Sequence, residues 1–390
     1  MKVSSSFSQF MEEKPLYYKE IDHERVHIAY EMLKSHIVQP LTIHIVGTNG
    51  KGSTGRIMAS LLHFSGRRVG HFSSPHILKF NERIWINGED ISDGALDVAH
   101  ERLYSILGEE MSNALSYFEY TTLLAFVAME QLEVIVLEAG LGGEFDATNV
   151  CSKKLSVITP IGLDHQDFLG ESIEEIATTK MNSINKEFVL AYQVHKEVYE
   201  IAEKREAILT RVDTFQEMFP AEYKEVQKLT KQLEWSQYLF ENTLTALYAL
   251  KKVNLTYALE DLLKVKLFGR FYRLSSNVTI DVGHNLLAAK AISKALESKN
   301  KVVLVYNALN DKDYVSILNE FKPHIKRVEI IKIDTTRAVD IECLEKALKS
   351  LKISYSFFDK IDNNDEYLVF GSFYVVEAFL NKNEQNISIL

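Results

Sequence analysis

Residues 41–53 read LTIHIVGTNGKGS, an apolar, β-branched run that ends in a glycine-rich turn carrying a lysine and a hydroxyl. Ile43, Ile45 and Val46 suit a buried strand. Gly47, Gly50 and Gly52 let the backbone turn sharply and aim its N–H groups inward. Lys51 supplies a point charge, and Ser53 or Thr54 a hydroxyl for magnesium. Ile57, Met58, Leu61 and Leu62 recur at helical spacing, so a helix is expected to start near Gly52, its N-terminal dipole facing the phosphates. Asn49, Gly50, Lys51, Gly52, Ser53 and Thr54 are therefore candidate ATP contacts. The spacing is not that of the standard P-loop, because Gly47 stands four residues before Lys51 rather than six. A strand–helix turn without a ligand is the alternative; Lys-Gly-Ser directly behind a strand favours the phosphate reading.

Outward from this loop, strand, loop and helix alternate. Residues 23–35 predict an amphipathic helix, with Val26, Ala29, Tyr30 and Leu33 on one face. Residues 68–73 predict a strand leading into Ser74-Pro75-His76. Residues 119–130 predict a helix, 133–138 a buried strand entering AGLGGEFDATN, 155–159 a strand entering PIGLDHQDFLG, and 172–184 a helix. Such alternation predicts a mostly parallel α/β sheet with ligands at the C-terminal ends of its strands. Residues 195–235 are rich in Lys and Glu and read as a helical, solvated face. The pattern restarts at KLFGR (266–270), with strands expected at 278–282, 301–306, 327–333 and 366–370. Two domains are expected: an ATP-binding P-loop domain over 1–266 and a smaller Rossmann-like α/β domain over 267–390.

Composition narrows the function. The chain has 390 residues and a formal net charge of −10, with no basic patch, so nucleic-acid binding lacks electrostatic support. Two cysteines, Cys151 and Cys343, lie far apart, which fits a reducing cytoplasm. No apolar run is long enough to predict a membrane span, and the N-terminus has no signal-like apolar region.

The chain resembles the folylpolyglutamate synthase/dihydrofolate synthase family of bacterial bifunctional type, within the Mur-ligase-like ATP-dependent amide ligases. The resemblance runs nearly end to end through GTNGKGS (47–53), SSPH (73–76), ERIWING (82–88), FEYTT (118–122), EAGLGGEFDATN (138–149), ITPIGLDHQDFLG (158–170), Lys180, FGR (268–270), DVGHN (281–285), NALNDKD (307–313) and GSFYVVEAF (371–379). It implies phosphorylation of a pteroate or folate carboxylate by ATP, attack of the L-glutamate amine on the acyl phosphate, and two magnesium sites. By that resemblance Ser74 and Glu138 bind the first magnesium and His165 the second, with Lys180 carbamylated beside it. Lys51, Lys180 and His284 are then catalytic, Asn242, Arg270 and Asp281 contact ATP, and Phe118 and Asp146 face the pterin. Lys312, Asp313 and Ser372 are glutamate-side or structural positions. Splitting the ATP contacts between domains implies closure on binding. A monomer is expected. Two departures stand out. Glu144 occupies the family's usual arginine position, and the N-terminal segment Ile21, Asp22, His23, Glu24, Arg25 is shorter than usual. The alternatives are another Mur-type ligase, such as one acting on cell-wall peptides, or a P-loop NTPase that is not a ligase.

Overall fold

Strand β1 (Leu41–Val46) is buried along almost its whole length and runs straight into the glycine turn. The apolar segment behind it does the same: β5 (Val134–Glu138) is buried at every position, which is what a strand flanked on both faces requires. Around this pair the computed structural model builds a sheet from β2 (Val69–Phe72), β3 (Ile84–Ile86), β4 (Glu89–Asp90), β6 (Leu155–Ile158), β7 (Glu187–Leu190) and β8 (Ile208–Arg211). The order is β4-β3-β2-β5-β1-β6-β7-β8. β2, β5, β1, β6, β7 and β8 are parallel, and β3 and β4 extend one edge antiparallel. The structure describes residues 6–14, 22, 24–297 and 299–383; Ile21 and His23 of the short N-terminal segment lie outside them.

Register fixes what the sheet presents. Phe72 pairs with Leu137, Ile45 with Glu138 and Val46 with Ile158. The loops that follow β2, β5, β1 and β6 therefore emerge side by side at one edge, where a parallel sheet places its ligands. The helix Tyr117–Met129 packs over this region with nine buried residues spread around its circumference. Burying its large apolar side chains, Leu123, Leu124, Phe126, Val127 and Met129, contributes roughly 1.5–3 kcal/mol each. ERIWING becomes a hairpin: Asn87 and Gly88 both take positive φ (49° and 105°) between β3 and β4, the pair of conformations a tight two-residue turn demands.

The chain divides into two units, Met1–Gly162 with Leu169–Leu229 and Glu241–Val265, and Leu163–Phe168 with Thr230–Phe240 and Lys266–Leu390. The second unit has its own sheet, from β9 (Tyr272–Ser275), β10 (Val278–Ile280), β11 (Val302–Tyr306), β12 (Ile325–Ile330), β13 (Tyr355–Phe357) and β14 (Tyr367–Phe370). Its order is β13-β12-β11-β14-β10-β9, parallel except for β9. The α/β class and the parallel character follow the predicted alternation. The helical reading of 195–235 needs correction: helix Lys196–Glu203 is followed by β8 before helix Pro220–Gln232. β8 is a four-residue edge strand with no buried residue, and its short Ile208-Leu209-Thr210-Arg211 stretch lacks the longer apolar run of the central strands.

Candidate active site

The phosphate loop follows β1. Helix Lys51–Phe64 starts from Gly50, which takes φ 84° and leaves the helix without a side-chain cap. By contrast, the helices starting at Asp93, Tyr117 and Ile173 are capped by the hydroxyls of Ser92, Ser116 and Ser172. An uncapped N-terminus keeps its first N–H groups available to an anion. The loop is braced from β6: Pro160 O accepts the N–H of Thr48 at 2.9 Å and of Asn49 at 3.1 Å. Lys51 Nζ folds back to Gly47 O and Thr48 O, 3.1 Å from each. Asn242 sits against this loop: its amide donates to Ser53 Oγ at 2.8 Å, and a Cβ on Gly50 would lie 2.8 Å from its Oδ1. Thr54 is fully buried, and its hydroxyl has no hydrogen-bond partner among the described residues.

Beside the loop lie the expected metal and substrate residues of this unit. Glu138 closes β5 as a buried carboxylate. Ser74 lies two residues past the neighbouring β2, in a turn organised by Glu82, whose carboxylate accepts the N–H groups of Ile77, Leu78 and Lys79 at 2.7–2.8 Å. A hydroxyl and a carboxylate are suitable oxygen donors for magnesium. Among the described residues no cluster of three or more His, Cys, Asp and Glu could hold a metal by itself, so phosphates and water would complete such a site. Lys180 is not a solvated helix residue. It is buried, and its Nζ donates to Gly47 O at 3.0 Å, reaching the phosphate loop from helix Ile173–Met181. Gly143 explains part of the GLGG run: a Cβ there would stand 2.6 Å from Lys180 O.

The two departures and the pterin candidates are also resolved locally. The Glu144 carboxylate accepts the Asn182 amide N–H, and Asn182 Oδ1 accepts Arg205 Nη2 at 2.6 Å. The reversed charge is thus held toward the end of the Lys180 helix. Asp146 is buried with both oxygens engaged, by the N–H of Leu141 at 2.8 Å and by the N–H and hydroxyl of Thr148 at 2.9 and 2.6 Å. It organises the loop it sits in. Burial pushes its carboxyl up, opposed by these hydrogen bonds. Phe118 is half-buried, 6.0 Å from Phe72 between ring centroids. Arg25 pairs with Glu119 of FEYTT at 2.8 Å, tying the short N-terminal segment to helix Tyr117–Met129.

In the second unit, DVGHN, NALNDKD and GSFY follow β10, β11 and β14, which are neighbours. Asp164, which sequence reasoning passed over, is the hub there. Its Oδ1 accepts Lys312 Nζ at 2.6 Å and the His165 N–H at 3.0 Å. Its Oδ2 accepts Asn285 Nδ2 at 3.0 Å, with His284 Nε2 at 3.6 Å. Burial opposes ionisation, but the His284 contact and the Lys312 charge outweigh it and hold the carboxyl far below the usual range. Lys312 also pairs with Asp311, which binds Arg337. His165 takes φ 52°, and burial lowers its imidazole to about 4, so it is neutral at physiological pH. Asp281 accepts from Tyr238 OH, Phe271 N–H and Gly283 N–H at 2.7–2.9 Å. Arg270 lies over the Phe373 ring, 5.2 Å from its centroid. Asp313 and Ser372 cap the helices that begin at Tyr314 and Phe373. Asp164 could have been flagged in LDHQD as a carboxylate beside a histidine; Tyr238 carries no local signal.

A glycine-rich loop that leads from a parallel strand into an uncapped helix, beside strands that lead to Ser74 and Glu138, is the arrangement of a P-loop-type nucleotide-binding domain. Residues 45–243 match the Mur ligase middle domain. The chain is 31% identical over 372 residues to the dihydrofolate synthase/folylpolyglutamate synthase of Buchnera aphidicola subsp. Schizaphis graminum (strain Sg), covering 88% of each. Among solved structures it resembles Helicobacter pylori folylpolyglutamate synthetase at 36% identity and TM-score 0.76, covering 97% of this chain and 98% of that one. It also resembles E. coli FolC in complex with DHPP and ADP at 27% identity and TM-score 0.82, covering 99% of both. The chain belongs to the dihydrofolate synthase/folylpolyglutamate synthase family.

Proposed function

We propose that this chain ligates L-glutamate to dihydropteroate, to a (tetrahydro)folate, or to both, using ATP. The observation that carries this reading is the uncapped helix N-terminus at Gly50, with Lys51 and Lys180 both donating to the carbonyl that precedes it. A substrate carboxylate oxygen attacks the γ-phosphorus, and ADP leaves. The amine of glutamate then attacks the acyl carbon, and phosphate leaves. Asn49 to Thr54 and Lys51 bind the phosphates, and Lys51 neutralises charge developing on the transferred group. Ser74 and Glu138 would hold magnesium, which neutralises phosphate charge when bound. A second magnesium would use His165, with Lys180 as its carbamate; carbamylation turns the ammonium into an oxygen donor. Asn242, Arg270 and Asp281 serve the nucleotide, His284 the acyl phosphate and glutamate, and Phe118, on helix Tyr117–Met129, and Asp146 the pterin. The enzyme acts as a monomer in the cytoplasm. Among the described residues no helix is long and apolar enough to cross a membrane.

The test is ADP release with MgATP and L-glutamate, dihydropteroate and tetrahydrofolate being supplied separately. Turnover with dihydropteroate establishes the synthase activity, turnover with tetrahydrofolate the tail-extending one. Silence with both, in protein that binds ATP, refutes the reading.

A further inference from the structure

His44 lies in the middle of β1, three residues before Gly47, in register with Leu137 and Ser156 of the flanking strands. Its imidazole is fully buried, and Nε2 lies 2.7 Å from Thr148 Oγ1. Thr148 Oγ1 is 2.6 Å from Asp146 Oδ1. The order of protons along this chain follows from what each group can do. The Asp146 carboxyl accepts the N–H groups of Leu141 and Thr148, and the Thr148 hydroxyl donates to it as well. The hydroxyl then has only a lone pair to offer His44, so Nε2 carries the imidazole proton and Nδ1 carries none. Nδ1 has no hydrogen-bond partner among the described residues. Burial, with the Lys153 charge second, holds the imidazole well below its ordinary range, so it is neutral at physiological pH.

A buried ring with one nitrogen unserved is a poor filler for a central strand, where an aliphatic side chain would leave no polar atom unmatched. What the ring does provide is one directed bond to the loop after β5. That bond is continued by Thr148 and Asp146 to the N–H of Leu141, across most of the GLGGEFDATN loop.

We propose that His44 is a positioning residue for the pterin-bearing substrate, clamping the loop 140–149 through Thr148 and Asp146 from the same strand that carries the phosphate loop. The clamp holds the substrate loop in fixed register with the phosphate loop, so that carboxylate and γ-phosphate meet at a set distance. The inference rests on the proposed function, in which this loop faces the pterin.

The test compares His44→Leu, His44→Gln and Thr148→Val. The Gln amide places an N–H donor where Nε2 stands. For His44→Leu and Thr148→Val, KM for the pterin substrate is expected to rise about tenfold while KM for MgATP stays within about twofold, since a small displacement of a positioned group is enough for such a loss. His44→Gln is expected to restore the wild-type KM. An unchanged pterin KM, or an equal rise for both substrates, overturns the proposal. If His44→Leu does not fold, Thr148→Val decides by the same criterion. Hydrogen exchange at the Leu141 and Thr148 amides reads the clamp without turnover. It is expected to quicken about tenfold in His44→Leu or Thr148→Val and to recover in His44→Gln. Unchanged exchange overturns the clamp, whereas wild-type silence with every pterin, with the exchange shift present, refutes only the functional reading.

Discussion

Gly50→Ala probes the phosphate loop at the residue that makes it possible. Gly50 takes φ 84°, and its added Cβ would lie 2.8 Å from Asn242 Oδ1. The left-handed conformation costs a residue with a Cβ about 1–2 kcal/mol. Asn242 is only 3% exposed, so it cannot swing clear without giving up its bond to Ser53 Oγ, a further ~0.5–1.5 kcal/mol. The sum, about 1.5–3.5 kcal/mol, lowers the melting temperature by roughly 3–14 °C in a domain of this size. Gly66→Ala is the internal control: Gly66 has φ 82° but nothing within 4 Å of its Cβ position, so it carries the backbone penalty alone. Nucleotide affinity separates the two further. Displacing one N–H from a charged phosphate removes about 1.5–3 kcal/mol, so ADP should bind roughly 10–100-fold more weakly to Gly50→Ala and normally to Gly66→Ala. The assays are calorimetric melting and titration with MgADP. Equal melting and equal ADP affinity in the two variants would refute the reasoning.

Lys51→Ala should lose at least ~100-fold in turnover with its melting temperature little changed, because it acts on the developing phosphate charge; a near-normal rate would remove it from the mechanism. If Lys180 is carbamylated, native mass should carry one added CO2 that disappears in Lys180→Ala, and depleting bicarbonate should depress activity reversibly; the same mass and the same rate without bicarbonate would sink that role. Asp164→Asn leaves the buried Lys312 with Asp311 as its remaining anionic partner, and should destabilise the second unit by about 1–3 kcal/mol, read by denaturant unfolding; no change would mean the hub holds nothing. His76 accepts Arg83 Nε at 2.8 Å, and burial, then the Arg83 charge, lower it to about 4. The unfolded chain therefore binds more protons between about pH 4 and 6.5, so this contribution is present above that window and lost as pH falls through it. Stability of His76→Asn should depend less steeply on pH there; an unaltered slope would show that His76 does not titrate as the structure implies.

Much of the fold was legible because periodicity and chain punctuation are local properties. LTIHIV, EVIVLE and LSVIT each state a buried parallel strand, and the glycines, Lys51 and Ser53 state the turn that follows. β8 was not legible, because an exposed edge strand needs no apolar alternation. The candidate site residues stand in motifs, but their hydrogen-bond partners were not legible. Lys180 was singled out by the resemblance alone, and only the tertiary structure set its ammonium 3.0 Å from Gly47 O, 133 residues away in sequence. Asp146 stands in a motif, but that its two oxygens accept from Leu141 and Thr148 came only from the fold.

The sequence by itself determined the alternation of elements, the phosphate-binding turn and the family, because these depend on residue order within a few positions and on motifs in series. Only the tertiary structure decided that Asp164 gathers Lys312, Asn285 and His284, that Glu144 is held by Asn182, and that His44 reaches Thr148. Hydrogen bonds and ion pairs act over about 3 Å, and which side chains come within that range is set by strand register and loop closure, which no local stretch of chain contains.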